Sequence, residues 1–243
     1  MAAYVAIAVL ALTLPPLALL VLARRMDIPA GRFLAWFGLG ASGWMLAKIP
    51  KAAVVLPLFL VKGLPLQMDA GRFEELLRTD ASILLAGSLA AAVFEELSKP
   101  LGLLLLRRSI SPSSAALAGW VAGVGAGVLE ALTVLAGDAY RIAVLHHATF
   151  ASSVHVPIER CFIVAFHGAL TAFLVSYVSR RRYLIGVLVP IGLHALINVV
   201  FTYLQVHRLL SLWAIEVLIA VFVMSTVAVV VAATSIGESA RQS

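Results

Sequence analysis

Seven long, mostly apolar stretches dominate this sequence, and they limit what the chain can fold into. They fall near residues 2–23, 33–61, 81–106, 114–136, 158–179, 183–204 and 210–233. A helix needs about 20 apolar residues to cross a hydrocarbon core of about 30 Å. Inside a bilayer only helices and closed barrels satisfy every backbone hydrogen bond. The sequence therefore predicts an all-α fold, a polytopic membrane bundle of seven transmembrane helices.

The composition agrees with that prediction. Of the 243 residues, 62% are hydrophobic and 12% are charged, whereas soluble domains are about half apolar and about a quarter charged. No polar stretch is long enough for a separate soluble domain, so residues 1–243 are predicted to form a single transmembrane domain. The excess of basic residues is interpreted as marking cytoplasmic loops, and no nucleic-acid partner is expected.

Basic clusters suggest how the chain is oriented. They follow the first, third and fifth stretches, at Arg24, Arg25 and Arg32, at Arg107 and Arg108, and at Arg180, Arg181 and Arg182. Positively charged residues favour the cytoplasmic side. The prediction is an N-terminus outside and a C-terminus in the cytoplasm, in a bacterial or archaeal plasma membrane. The second stretch contains Pro50 and Pro57 and is expected to bend or break there.

The third stretch ends in FEELSKP, which puts Glu95, Glu96 and Lys99 into an apolar setting. Placing an ionisable side chain inside a membrane costs several kcal/mol on insertion scales. Such side chains therefore usually face the interior of a helix bundle. Lys99 is spaced to form an ion pair with one of the two carboxylates on its own helix. The alternative to a functional site is therefore a purely structural ion pair. Helical spacing places Glu95 on a face of small residues, pointing inward, and Glu96 on the flank. Pro100 should kink the helix just past the pair.

Three further stretches carry polar side chains that do not belong in lipid. Glu130 follows glycines spaced four apart at Gly119, Gly123 and Gly127, a spacing that lets membrane helices approach closely. His167 lies seven residues after Arg160, and His194 and Asn198 are four apart, so each pair shares a helix face. A lone histidine could be a packing residue, but charges on four stretches favour one polar site.

These motifs resemble those of the CPBP clan of intramembrane peptidases. The resemblance covers about residues 91–201 and consists of EExxK, a glycine-rich helix ending in Glu, ER followed by His, and HxxxN. It is closest to the YhfC-like branch, with PrsW second, although a histidine expected near the glycines is missing. The resemblance implies a CPBP-like core over about residues 81–204 and an intramembrane endopeptidase.

Peptide hydrolysis needs an activated water, a stabilised oxyanion and a proton for the leaving amine. Glu95, beside Glu96, is the expected general base, and His167 is expected to orient the water and shuttle the proton. His194 and Asn198 would donate hydrogen bonds to the oxyanion, as the resemblance implies. Glu130 remains open as a second base, a metal ligand or an orienting group.

A metal remains an open question at the level of sequence. His167, His194 and Glu130 offer a set of ligands that zinc uses in catalytic sites, but the HExxH signature is absent. The segment with His146, His147 and His155 is interpreted as a polar loop. Both metal-assisted and metal-free schemes are therefore kept.

Two classes of function are compatible with the residues. The first is a glutamate-dependent intramembrane endopeptidase whose partner is a membrane-embedded or lipid-modified peptide. The second is a proton-coupled carrier or non-catalytic scaffold, because Glu and His chains in membrane helices also form proton relays. A cleavage product would distinguish the two classes, because only an endopeptidase generates one.

Overall fold

A computed structural model describes residues 1–65, 70–105, 110, 114–144, 149 and 153–239 of the chain. These residues form helices α1 (Ala2–Arg25), α2 (Ala30–Val61), α3 (Ala70–Thr79), α4 (Ala81–Ser98), α5 (Leu101–Leu105), α6 (Ala115–Ala143), α7 (His155–Ser179), α8 (Tyr183–Val206) and α9 (Leu212–Ser239). Seven helical segments, with α4 and α5 forming one of them, are long and apolar enough to cross a membrane. The all-α prediction with seven spans is confirmed.

Three local expectations need correction. Helix α2 runs unbroken through Pro50 and Pro57, so of the expected bend or break the break does not occur. Membrane helices tolerate proline where neighbours satisfy the freed backbone groups. Helix α3 lies between the second and third apolar stretches, where the sequence predicts no helix. Helix α6 continues to Ala143, beyond the predicted end near residue 136, because the Asp138 carboxylate accepts a hydrogen bond from Tyr4 of α1 at 2.9 Å.

The break after the acidic doublet is confirmed. Helix α4 ends at Ser98, and α5 begins at Leu101 on the other side of Pro100. Proline cannot donate the backbone hydrogen bond that would continue the helix. Arg107, Arg108, His146 and His147 lie outside the described residues.

The centre of the bundle is the pair α6 and α7, which the glycines of α6 bring into close contact. A Cβ atom at Gly119, Gly123 or Gly127 would lie 2.6, 2.2 or 2.9 Å from backbone atoms of α7. On another face of α6, a Cβ at Gly125 would lie 2.2 Å from the Phe37 carbonyl oxygen of α2. The predicted close-packing face is confirmed, and it holds Glu130 and His167 side by side.

The start of α4 is fixed by a polar cap. The Asp80 side chain accepts a hydrogen bond from the Ser82 backbone N–H at 3.0 Å and forms an ion pair with Lys62 at 2.5 Å. The hydrogen bond from Lys62, with that from Ser82, lowers the pKa of Asp80 to about 2. An aspartate at this position stabilises the exposed N–H groups of the first turn. Because the cap fixes the start of α4, it also helps to fix the depth of the acidic doublet in the bundle.

A buried cluster of ionisable side chains

Charged and histidine side chains from four helices meet in the bundle interior. Glu95 and Glu96 come from α4, Glu130 from α6, His167 from α7 and His194 from α8. Glu96 is 0% exposed, and His167 is 1% exposed. All of the predicted site residues except Asn198 lie within this cluster, and Asn198 lies beside it on the wall of a cavity.

The members of the cluster are joined by one continuous series of polar contacts. Arg160 donates to Glu130 at 2.9 Å, and the other Glu130 oxygen lies 2.9 Å from His167 Nε2. His167 Nδ1 lies 2.6 Å from Lys99 Nζ. Lys99 in turn donates to Glu96 Oε1 at 2.5 Å, and that oxygen is 2.6 Å from His194 Nδ1. The series therefore links α7, α6, α4 and α8.

The two glutamates of the doublet have different neighbours from those expected. Glu96 is central, since it contacts both Lys99 and His194, and the expectation that it lies on the flank is wrong. Glu95 is also buried, but its carboxylate faces α2, where Lys48 Nζ lies 3.1 Å away and Lys51 Nζ 3.9 Å away. Face assignment from small residues failed because those lysines lie on another helix, which draws Glu95 toward it.

The bonding partners determine which imidazole nitrogens carry protons. Lys99, as an ammonium, can only donate, so His167 Nδ1 must accept and His167 Nε2–H donates to Glu130. His194 Nδ1 faces a carboxylate oxygen and therefore donates to Glu96. In the neutral ring this leaves a lone pair on His194 Nε2, which has no partner among the described residues. Of the two imidazoles, only His194 keeps a nitrogen free for chemistry.

His194 also lines a cavity of about 90 Å³ between α7, α8 and α9. It has room for several water molecules. The polar side chains that line it are those of Glu130, Glu159, Arg160, His167, His194, Asn198, Thr202, Gln205 and Glu216. The Asn198 amide has no hydrogen-bond partner among the described residues, so it is free to bind a ligand in the cavity.

Sequence reasoning missed several residues of the cluster. Trp44 of α2 donates to Glu130 at 3.1 Å, and the Lys48 ammonium lies 3.6 Å from the centre of the Trp44 ring. Glu216 was overlooked, although a glutamate among the apolar residues of the last span is itself a signal of a buried site.

Two groups of side chains in the cluster could hold a metal ion. They are Glu96 with His167 and His194, and Glu95 with Glu130 and His167; the ligand atoms of each group lie within 4.8 Å of one another. The predicted set of His167, His194 and Glu130 is therefore divided between two groups that share His167. Two histidines and a carboxylate suit zinc, and Glu96 Oε2 is buried with no partner among the described residues. The Lys99 ammonium already contacts His167 and Glu96, so an ion at the first group would have to replace it.

Taken together, the fold and the cluster define an integral membrane protein whose helical core encloses a set of glutamate, histidine and lysine side chains. Comparison of the chain with protein-family models, curated proteins and solved structures gives no match. The likeness to intramembrane peptidases therefore stays a prediction from motifs, and the function is argued from the site.

Proposed function

We propose that the protein is an intramembrane endopeptidase that hydrolyses a peptide bond of a membrane-embedded substrate, with His194 as the general base. The observation that carries the proposal is the pairing of His194 Nδ1 with Glu96 at 2.6 Å beside a polar cavity. A carboxylate that fixes one imidazole nitrogen leaves the other directed at a reacting proton, as in hydrolytic enzymes generally.

The reaction would proceed in two proton transfers. His194 Nε2 takes a proton from a water molecule as the water oxygen attacks the substrate carbonyl carbon. The Asn198 amide donates a hydrogen bond to the resulting oxyanion. The imidazolium then gives its proton to the leaving amine as the C–N bond breaks, which restores neutral His194 and releases an acid and an amine.

The remaining charges keep this arrangement in place. Lys99 balances Glu96, so the carboxylate stays ionised and can hold the His194 ring. Arg160 and His167 both bind Glu130, whose role becomes that of an orienting group at the cavity wall. Glu95 stays a second candidate for the base, because Lys48 and Lys51 contact only its Oε1 atom. Zinc, if bound at the Glu96, His167 and His194 group, would supply a Lewis acid for the same hydrolysis.

The proposal is tested by sequencing the protein N-termini in membranes from cells that produce the wild-type chain or the His194→Ala variant. We expect new N-termini within membrane proteins in the wild-type sample and their loss, by about 10²-fold or more, in the variant. The matched control is His207→Ala. His207 belongs to the same helical segment but stacks on Tyr203, with ring centres 4.2 Å apart, outside the cluster.

The proton-coupled carrier remains the second candidate, because the series of contacts from Arg160 to His194 is unbroken. It predicts that proteoliposomes with the wild-type chain move protons when a pH gradient is applied, and that His194→Ala stops this movement. Proton movement together with identical N-termini in the wild type and both variants would replace the hydrolase with the carrier.

A further inference from the structure

A second group of charges lines the same cavity, at the end of the bundle where α7 and α9 begin. Glu159 belongs to α7 and Glu216 to α9. Glu216 is only 6% exposed, and its Oε2 atom is buried with no hydrogen-bond partner among the described residues. It interacts electrostatically with Glu159 and Arg160. None of the steps proposed for hydrolysis uses either glutamate.

Arg160 does not provide a partner for every carboxylate of the cavity wall. One end of its guanidinium donates to Glu130 at 2.9 Å, and the other end contacts Glu159. The cavity wall thus carries three carboxylates, Glu130, Glu159 and Glu216, for one guanidinium. A buried polar atom without a hydrogen-bond partner is costly, so a cationic ligand that donates a hydrogen bond to Glu216 would reduce a cost that the free protein carries.

The surroundings indicate which kind of cation fits. Ile163, Ile215, Ile219 and Phe201 line the cavity next to the acidic side chains. Divalent magnesium and calcium need about six or more oxygen ligands, and Glu159 and Glu216 belong to neither of the potential metal-binding groups found among the described residues. One or two carboxylates beside an apolar wall suit an alkylammonium group, which needs hydrogen-bond acceptors for its head and apolar contacts for its stem.

We propose that Glu216, together with Glu159, forms a subsite that binds the ammonium group of a lysine side chain in the peptide substrate. His194 and Asn198 line the same cavity, so the lysine would lie within a few residues of the bond that is cleaved. The compact ammonium suits a cavity of about 90 Å³ better than the broad, planar guanidinium of arginine. The assignment of the ligand to a peptide rests on the proposed function, whereas the ammonium subsite itself does not.

The subsite is tested first by binding, without any assay of activity. The purified protein, in nanodiscs of phosphatidylcholine, is titrated with n-butylammonium chloride at constant ionic strength, and its thermal unfolding is followed. n-Butylammonium has the four-carbon chain of a lysine side chain, with a methyl group at its end, and n-butanol is the neutral control. We expect n-butylammonium to raise the Tm of the wild type, and n-butanol to leave it unchanged.

Glu216→Gln removes the charge while keeping the shape of the side chain. A hydrogen bond to a charged group contributes about 1.5–3 kcal/mol, so the variant should bind n-butylammonium about tenfold or more weakly. Without ligand, its Tm should stay close to that of the wild type, because Glu216 Oε2 has no hydrogen bond to lose among the described residues. The control Glu75→Gln, on exposed α3, should behave as the wild type does. Equal binding by wild type and Glu216→Gln would overturn the subsite, as would stabilisation by n-butanol to the same extent.

A second measurement assigns the ligand to a peptide. Among the cleavage sites found by N-terminal sequencing, lysine should be enriched within a few residues of the cleaved bond for the wild type, and Glu216→Gln should lose that enrichment. Phosphatidylethanolamine nanodiscs that stabilise the wild type, combined with cleavage sites lacking lysine, would overturn the peptide assignment in favour of an aminolipid. Binding of n-butylammonium with no cleavage at all would leave the subsite standing and refute the hydrolase.

Discussion

Replacing Lys99 with methionine is expected to lower the free energy of unfolding by about 3–5 kcal/mol, the cost of leaving one member of a buried ion pair uncompensated. Lys99 and Glu96 are both 0% exposed, and Lys99 Nζ lies 2.5 Å from Glu96 Oε1 and 2.6 Å from His167 Nδ1. Methionine keeps the length of the side chain but removes all three donors. The measurement is reversible unfolding of the purified variant in mixed detergent micelles, followed by circular dichroism.

Lys62→Met is the matched control. Lys62 also lies 2.5 Å from a carboxylate, that of Asp80, but both side chains are partly exposed. Exposed pairs contribute about 0–1 kcal/mol, so this variant should be almost as stable as the wild type. The double variant Lys99→Met with Glu96→Gln should recover most of the lost stability, since no charge is left unpaired. Equal losses for Lys99→Met and Lys62→Met would show that the core pair is not buried as described.

Glu96→Gln is expected to reduce cleavage by about 10²- to 10⁴-fold, the usual contribution of general acid–base catalysis. The glutamine oxygen can still accept from Lys99 and from His194 Nδ1. The substitution removes the negative charge, however, and that charge stabilises the imidazolium that forms when His194 Nε2 takes a proton. The measurement is the rate at which the new N-termini appear in membranes that contain equal amounts of folded protein.

Glu95→Gln provides the comparison for this prediction. If His194 is the base, the loss on Glu96→Gln exceeds the loss on Glu95→Gln, because only Glu96 contacts the His194 ring. If Glu95 is the base, as the sequence alone suggested, the order is reversed. The two single variants therefore separate the two assignments even though both residues are buried on the same helix.

The sequence predicted the helical spans well and the contacts within the site less well. Length and hydropathy are local properties, so the seven spans could be located within a few residues, apart from the extension of α6. The glycine spacing also predicted the close approach of α6 and α7 correctly, because a Cβ at Gly123 would lie 2.2 Å from the His167 carbonyl oxygen. Both predictions follow from residue patterns within single helices.

The orientation of the doublet could not be predicted in the same way. Glu95 binds Lys48 of α2, which lies 47 positions away along the chain, and Glu96 binds His194 of α8, which lies 98 positions away. These two contacts decide which glutamate lies at the centre of the cluster. The role of each histidine depends on which ring nitrogen contacts a donor and which contacts an acceptor. Those contacts, with Lys99 and Glu96, are known only from the three-dimensional structure. Glu216 lacked a recognisable motif, and its place in the cavity comes from the packing of α9 on α7.

The proposed hydrolysis depends most on the opposite protonation of the two imidazoles, which nitrogen NMR of the protein with ¹⁵N-labelled histidine measures directly. Spectra of the His194→Ala and His167→Ala variants assign the ring signals. We predict a neutral His194 with its proton on Nδ1 and a neutral His167 with its proton on Nε2. A proton on Nε2 of neutral His194, or the same tautomer for both rings, would contradict the account, because His194 would then have no lone pair facing the cavity.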